Sequence, residues 1–175
     1  MRRYSTHLPT RELRPGELLV VEQPSVAVTV LGSCVAVTLF HRRTRLGALC
    51  HAMLPEAAAR GTGDDPFRYV EPSLRYMAAE FRRRGIGARE TEVKMFGGGD
   101  VLLSRPRDGD PTVGARNVSA ALQCLDEQEY TIMARDVGGT RGRKIYFDTS
   151  SGFVFVKRLS RVAPEPRWGG RPEGA

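Results

Sequence analysis

Short apolar runs separated by polar turns dominate the first third of the chain. Residues 17–22 (ELLVVE) and 26–30 (VAVTV) are rich in β-branched residues and predict two short strands. The run CVAVTLF, which begins at Cys34, and the run LGALCHAML (46–54) predict two more strands. The polar stretch HRRT (41–44) between them predicts a hairpin loop, so these two strands are expected to be antiparallel neighbours.

A helical periodicity follows in the middle of the chain. Apolar residues recur at i, i+3, i+4 and i+7 between residues 72 and 84, which predicts a helix there; these residues are Leu74, Met77, Ala78 and Phe81. Pro72 suits the first turn of this helix and Gly85 its end. A second helix is predicted over residues 115–127. Four further β-rich segments predict strands: 91–96, 130–136, 144–149 and 152–158.

The order of these elements indicates the fold class. Residues 149–152 (TSSG) have the composition of a tight turn, so the last two strands are expected to form a hairpin. Strands joined by hairpins indicate an α+β fold, a layered α/β sandwich with a mostly antiparallel or mixed sheet. The length of 175 residues fits one domain, residues 1–159, followed by a flexible basic tail rich in Pro, Gly and Arg, residues 160–175.

Composition narrows the class of protein. Hydrophobic content of 41% and charged content of 27% are ordinary for a globular protein, and the apolar runs are far too short to cross a bilayer. Because no apolar signal-peptide core follows Met1, a cytoplasmic location without membrane insertion is expected. Three cysteines, Cys34, Cys50 and Cys124, make no disulfide framework and lack zinc-site spacing, so neither a metal nor another cofactor is expected.

The charge of the chain suggests an acidic partner without identifying one. The net charge is +7, arginine is the main basic residue, and the basic clusters are residues 42–43, 82–84 and 141–144. Such clusters fit an acidic protein surface, an anionic membrane or nucleic acid, and fit a solvated arginine-rich surface equally well. They lack the interleaved aromatic residues of single-stranded nucleic-acid binders, so nucleic acid is not the expected partner.

Cys34 and His51 are the candidate chemical pair. If Phe40 pairs with Arg45 across the hairpin, Cys34 falls directly opposite His51 on the same face of the sheet. An imidazole beside a thiol can take its proton, hold the thiolate as an ion pair and later protonate a leaving amine. Cys50 faces the opposite side from His51 and is poorly placed to use it.

The residues before Cys34 extend this hypothesis. Gly32 and Ser33 allow a tight turn whose backbone N–H groups could stabilise an oxyanion. The alternative remains open that Cys34 is a buried small apolar residue and His51 a hydrogen-bonded structural histidine. The glycine-rich segments 97–100 and 138–143 lack the P-loop and GxGxxG spacings; the second could be an anion nest or a loop between strands.

Several segments together resemble the CheD family of chemoreceptor glutamine deamidases. They occur in the family's order between about residues 15 and 159: TVLGSCVAVTLF, HAMLP, FGGGDVL (96–102), VGARNV (113–118) and DVGGTRGRKIYFDTSSG (136–152). The resemblance implies an α/β sandwich similar to the catalytic domain of cytotoxic necrotizing factor toxins. It also implies a Cys–His–Thr catalytic set, in which the family's cysteine and histidine fall on Cys34 and His51. The family's threonine falls on Thr29, although a strict count in some members would reach Val28.

The reaction implied by the resemblance is hydrolysis of a protein glutamine amide to glutamate through a thioester of Cys34. The implied substrate is the cytoplasmic domain of methyl-accepting chemotaxis receptors, with receptor glutamyl methyl esters as a further substrate class and a CheC-like phosphatase as a partner. A regulatory module that binds the same partners without catalysis is the main alternative. A different thiol hydrolase and a basic nucleic-acid-binding protein are two others.

Overall fold

The computed structural model describes residues 5–56, 65–101 and 109–160. These residues form nine strands and two α-helices: β1 Thr10–Glu12, β2 Leu18–Val21, β3 Val26–Leu31, β4 Val35–His41, β5 Leu46–Ala52, α1 Val70–Arg83, β6 Glu92–Gly97, α2 Val113–Glu127, β7 Ile132–Val137, β8 Arg143–Asp148 and β9 Val154–Arg158. Every strand and helix predicted from the sequence is confirmed within about two residues. The three-residue strand β1 was not predicted. Nearly all of the predicted tail, 160–175, lies outside the described residues.

The strands form two sheets. One sheet has five strands in the order β2-β5-β4-β6-β7, and the other has four in the order β1-β3-β8-β9. Only the β6–β7 and β1–β3 pairs are parallel; the other pairs are antiparallel. The predicted α+β class with mixed sheets is therefore confirmed. Strands β2 and β3 are consecutive in sequence but belong to different sheets.

Strand β4 lies at the centre of the layered structure. All seven of its residues are buried, which explains why five of them are apolar. Val35 and Val37 belong to the core between the five-stranded sheet and the helices, which we call the helix-side core. Ala36 and Phe40 belong to the core between the two sheets, which we call the inter-sheet core. The order of layers is therefore helices, five-stranded sheet, four-stranded sheet.

The β4–β5 hairpin is present, but its predicted register is wrong. Phe40 pairs with Gly47 instead of Arg45, and Ala36 is the residue opposite His51. The reason lies in the loop, where Arg45 adopts a left-handed φ of 57° and leaves His41 to pair with Leu46.

Each β4 residue thus pairs two positions further along β5 than predicted. A shift by two positions keeps every side chain on its predicted face, because side chains alternate with a period of two.

The two helices pack on one side of the five-stranded sheet. Helix α1 ends next to Gly85, whose φ is 72°, as the sequence predicts. Helix α2 begins after Thr112, whose side chain accepts a hydrogen bond from the Ala115 backbone N–H at 3.1 Å. No helix in the described parts of the chain is both long and apolar enough to cross a membrane.

The predicted turn at residues 149–152 joins β8 and β9. Its last residue, Gly152, has a φ of 77° and packs beneath the Phe40 ring. A Cβ at this position would lie 2.3 Å from Phe40 Cδ1, much closer than two carbon atoms can approach. This glycine therefore lets the end of the four-stranded sheet pack against β4.

Replacing Gly152 by alanine should destabilise the protein more than the same change at Gly85. Both glycines have φ above +70°, but a Cβ at Gly85 would meet nothing within 4 Å. The Phe40 clash should add about 1–3 kcal/mol to the backbone strain that the two variants share. Urea unfolding measures the free energy of unfolding of both variants. Equal losses of stability would show that Phe40 moves aside without an energetic cost.

Candidate active site

Thr29 and His51 meet between the two sheets. Thr29 lies on β3 of the four-stranded sheet, His51 lies on β5 of the five-stranded sheet, and each is about 1% exposed. The Thr29 Oγ1 atom is 2.7 Å from His51 Nδ1 and 2.8 Å from the backbone oxygen of Leu13. Thr29, rather than Val28, is thus the residue placed beside the imidazole. Leu13 was not predicted as part of the site, because a backbone carbonyl leaves no signal in the side-chain pattern.

These two contacts determine which imidazole nitrogen carries the proton. The Leu13 carbonyl can only accept, so the single hydroxyl proton of Thr29 is donated to it. Thr29 Oγ1 therefore has no proton left for His51, and it must accept a hydrogen bond from His51 Nδ1–H. The other ring nitrogen, Nε2, is left unprotonated. It is buried and has no hydrogen-bond partner among the described residues. This is the arrangement that a general base requires.

Cys34 lies on the same side of the sheet as His51. It directly precedes β4, two residues before Ala36, and Ala36 is the residue paired with His51. Cys34 is therefore the diagonal cross-strand neighbour of His51, and such neighbours are typically about 7–8 Å apart, within reach of long or aromatic side chains. The thiol is partly exposed and packs against the inter-sheet core. The structure thus places Thr29 and His51 in contact and Cys34 diagonally across from His51, with no thiol–imidazole hydrogen bond among the described residues.

Burial favours the neutral form of both groups. It lowers the pKa of His51 to about 4, and the Leu13 carbonyl and the Glu17 charge oppose this only in part. Burial also raises the pKa of the Cys34 thiol, against the opposing effect of its own backbone N–H. Burial therefore disfavours a thiolate–imidazolium ion pair in the resting site.

The turn that carries Cys34 is held by its backbone carbonyl groups. The Gly32 oxygen accepts from Gly99 N at 2.8 Å, and the Cys34 oxygen accepts from Gly98 N at 2.7 Å. The Ser33 oxygen accepts from the side-chain amide of Asn117 at 2.9 Å. Three consecutive carbonyl groups are thus bound to other parts of the protein, which fixes the orientation of the peptide groups next to the thiol.

Glycines allow this close packing around Cys34. Gly97 has a φ of 101°, and a Cβ on it would lie 2.2 Å from the Cys34 oxygen. A Cβ on Gly114 of α2 would lie 2.6 Å from the Gly98 oxygen. The segment 97–100 is therefore a close-packing loop, and the segment 138–143 contains the β7–β8 connection that braces it, because Gly138 N donates to the Gly97 oxygen at 2.9 Å.

Arg143 is a buried member of the predicted arginine clusters. It is about 3% exposed, and its guanidinium donates to the Gly97 and Gly138 carbonyl oxygens and to the Asp136 carboxylate. Arg143 is thus not part of a solvated arginine surface and supports both glycine loops instead. Arg42 and Arg84 are paired with acidic side chains: Arg42 with Glu92, and Arg84 with Glu22 and Glu80.

The remaining cysteines are poorly suited to catalysis. Cys50 is buried in the helix-side core, on the opposite face from His51, and burial raises the pKa of its thiol to about 12. Cys124 is buried on α2 in the same core. Within the described ranges, no three His, Cys, Asp or Glu residues are placed to bind a metal ion together. Cys34 is therefore the described cysteine that lies on the His51 side of the sheet.

Known proteins of one family match most of the chain. Residues 53–158 match the family model described as CheD chemotactic sensory transduction. A protein of Geobacter sulfurreducens, named a probable chemoreceptor glutamine deamidase CheD 2, is 47% identical over 155 residues, which are 89% of this chain and 93% of that protein.

Two relatives of lower identity are each named a probable chemoreceptor glutamine deamidase CheD. The protein from Maridesulfovibrio salexigens is 39% identical over 155 residues, covering 85% of this chain and 91% of its own length. The protein from the archaeon Thermococcus kodakarensis is 35% identical over 146 residues, covering 83% and 90%. The family model begins at residue 53, and the matches to these relatives cover 83–89% of the chain. This chain belongs to the CheD family.

Proposed function

We propose that this protein is a cytoplasmic deamidase that hydrolyses glutamine side chains of methyl-accepting chemotaxis receptors to glutamate. The names of its relatives support the substrate class. The observation that carries the proposal is the unprotonated Nε2 of His51, which has no hydrogen-bond partner among the described residues and lies on the same face of the sheet as the Cys34 thiol. The other ring nitrogen is held by Thr29. A module that only binds receptors would have no use for this arrangement.

The first half of the reaction forms a thioester. His51 Nε2 takes the thiol proton as Cys34 Sγ attacks the side-chain carbonyl carbon of glutamine, so the nucleophile is generated only during attack. Backbone N–H groups of the turn at Gly32, Ser33 and Cys34 stabilise the oxyanion. The imidazolium then gives its proton to the departing amide nitrogen, and ammonia leaves.

The second half restores the enzyme. His51 Nε2 takes a proton from a water molecule as its oxygen attacks the thioester carbonyl carbon, and the C–S bond breaks. The proton returns to sulfur, which leaves glutamate and the free Cys34 thiol. Throughout both halves, the Nδ1–H bond to Thr29 holds the ring in one tautomer, and the Leu13 carbonyl fixes the hydroxyl of Thr29.

The same thioester chemistry would also hydrolyse receptor glutamyl methyl esters, with methanol leaving in place of ammonia. A CheC-like phosphatase remains the proposed regulatory partner. The reaction requires no cofactor, since the nucleophile, the base and the orienting group all belong to the chain.

Replacing Cys34 by alanine should abolish deamidation, because no other described thiol faces His51. The measurement is intact-mass spectrometry of a receptor cytoplasmic fragment, in which each converted glutamine adds about 1 Da. Cys50→Ala is the matched control and should retain activity, since Cys50 faces the helix-side core. Conversion by Cys34→Ala would rule out Cys34 as the nucleophile. Binding without conversion by the wild-type protein would favour the regulatory module.

Replacing Thr29 by valine should slow the reaction without preventing folding. Valine has nearly the same shape but cannot accept the Nδ1–H bond. The loss should be about 1–3 kcal/mol of transition-state stabilisation, or roughly 5- to 150-fold in kcat/KM. Thr29→Ser keeps the hydroxyl and should restore most of the activity. If valine and wild type agree within about twofold, Thr29 does not orient the base.

His51 should make the protein less stable as the pH falls from about 6.5 to about 4. In this window the unfolded chain protonates its histidine, while the buried imidazole of the folded protein, with a pKa of about 4, stays neutral. Above pH 6.5 both states are neutral and the contribution is constant. The free energy of unfolding should therefore drop by about 3 kcal/mol across the window for this group alone.

His51→Asn isolates this effect, because asparagine does not titrate and can still donate to Thr29. The difference in unfolding free energy between wild type and this variant should change across the window in favour of the variant. Urea unfolding at pH 7.5, 6 and 4.5 provides the measurement. A difference that does not vary with pH would mean that the folded imidazole protonates as readily as an unfolded one.

A further inference from the structure

The ladder between β4 and β5 ends next to the candidate nucleophile. Its last pair is Val35 with Ala52, so the next residues in register would be Cys34 and Met53. At this point the side chain of Asn117, from helix α2, bridges the two strands. Its Nδ2 atom is 2.9 Å from the Ser33 oxygen and 2.9 Å from the Met53 oxygen. One amide group thus links the two strands just beyond the point where their own pairing stops.

The orientation of this amide is unambiguous. Both partners are carbonyl oxygens, so both hydrogens of the NH2 group are used in donating to them. The Oδ1 atom therefore points elsewhere, and it is buried without a hydrogen-bond partner in the described parts of the chain. An unsatisfied buried acceptor destabilises a protein by about 1–3 kcal/mol. If residue 117 only filled this space, an apolar side chain would avoid that destabilisation.

The two bridged strands are those that carry the reacting groups. Ser33 immediately precedes Cys34, and Met53 follows His51 by two residues. Because Cys34 and His51 are diagonal neighbours, the distance from thiol to Nε2 depends on how closely these two strand ends are held. Asn117 sets that spacing where backbone hydrogen bonds no longer do.

Helix α2 is packed so that Asn117 can reach this position. Gly114, one turn earlier, lets the helix approach the Gly98 oxygen, and a Cβ there would lie 2.6 Å from that atom. Gly98 in turn donates its N–H to the Cys34 oxygen at 2.7 Å. The start of α2 is therefore connected to the turn that carries Cys34 in two ways. Gly114 packs against Gly98, which is hydrogen-bonded to Cys34, and Asn117 is hydrogen-bonded to Ser33.

We infer that Asn117 is a positioning residue for this reaction, which holds the Cys34 turn and the end of the His51 strand at the spacing that proton transfer from Sγ to Nε2 requires. The inference rests on the proposed function, in which Cys34 is the nucleophile and His51 its base. Asn117 contacts neither substrate nor the reacting atoms; it acts through the backbone on either side of them.

Asn117→Ala should lower kcat by about 10- to 100-fold while KM stays within about twofold, because misplacing a reacting group by a fraction of an ångström slows the chemical step without removing substrate contacts. Leu125→Ala is the matched control: Leu125 is also buried on α2, but it belongs to the helix-side core. Both variants are assayed under conditions in which denaturant curves show them folded. Leu125→Ala should keep its kcat.

The reactivity of Cys34 gives a second readout that needs no receptor. The rate of alkylation of Cys34 by iodoacetamide, followed by peptide mass spectrometry, should fall in Asn117→Ala toward the rate in His51→Asn. The double variant should react no more slowly than His51→Asn alone, since both changes remove the same assistance. Asn117→Ser can donate to only one of the two carbonyl oxygens at a time. Its alkylation rate should therefore lie between those of wild type and Asn117→Ala, and it replaces the alanine variant if that variant does not fold.

Two results would overturn the inference. One is an equal loss of kcat in Asn117→Ala and Leu125→Ala at matched stability; the other is alkylation of Cys34 at the wild-type rate in every Asn117 variant. Failure of the proposed function would look different, since either the wild-type protein would convert no glutamine or Cys34→Ala would retain deamidase activity. In that case the alkylation series would still report whether Asn117 controls the pairing of Cys34 with His51.

Discussion

The hydrogen bond between Thr29 and His51 joins the two sheets at the point where the chemistry is placed. Each residue belongs to a different sheet, so the bond exists only when the sheets are packed at their native distance. The Thr29 hydroxyl donates its only proton in a hydrogen bond to the Leu13 carbonyl. Because that proton is committed, the imidazole is left in one tautomer with its lone pair on Nε2. The packing of the inter-sheet core therefore determines the protonation pattern of the base.

Burial has two opposing consequences at this site. It keeps the thiol and the imidazole neutral, so neither group is charged before substrate arrives. It also removes water, and hydrogen bonds and charges formed during attack are stronger in such surroundings. A resting thiolate would be more reactive toward any electrophile and oxidant. In the proposed reaction, a neutral pair is activated only when a carbonyl carbon is in place.

The sequence predicted local features of the fold better than distant ones. The apolar run of β4, the helical spacing of α1 and the turn before β9 are local patterns, and each appears close to where it was expected. The alternation of side chains between the two faces of β5 was also predicted correctly, and Cys50 and His51 face opposite sides of the sheet. The hairpin register failed because it depends on one residue, Arg45, adopting a left-handed conformation that composition does not reveal.

The division into two sheets was equally hidden in the sequence. A segment such as β2 or β3 looks the same whether it pairs with its neighbour in sequence or with a strand far along the chain.

Asn117 shows why part of a site of this kind escapes sequence reasoning. It lies on a helix, among residues whose periodicity identifies only the apolar face, and its partners are backbone oxygens that leave no trace in the pattern. Gly97, Gly98 and Gly114 have the same property, since a Cβ on each would lie within 3.0 Å of an atom distant in sequence. Cys34 and His51 were identified from residue type and spacing, and Thr29 only through the resemblance to the CheD family. The residues that hold them at working distance are defined by the approach of α2 to the strand ends, and only the folded structure contains that information.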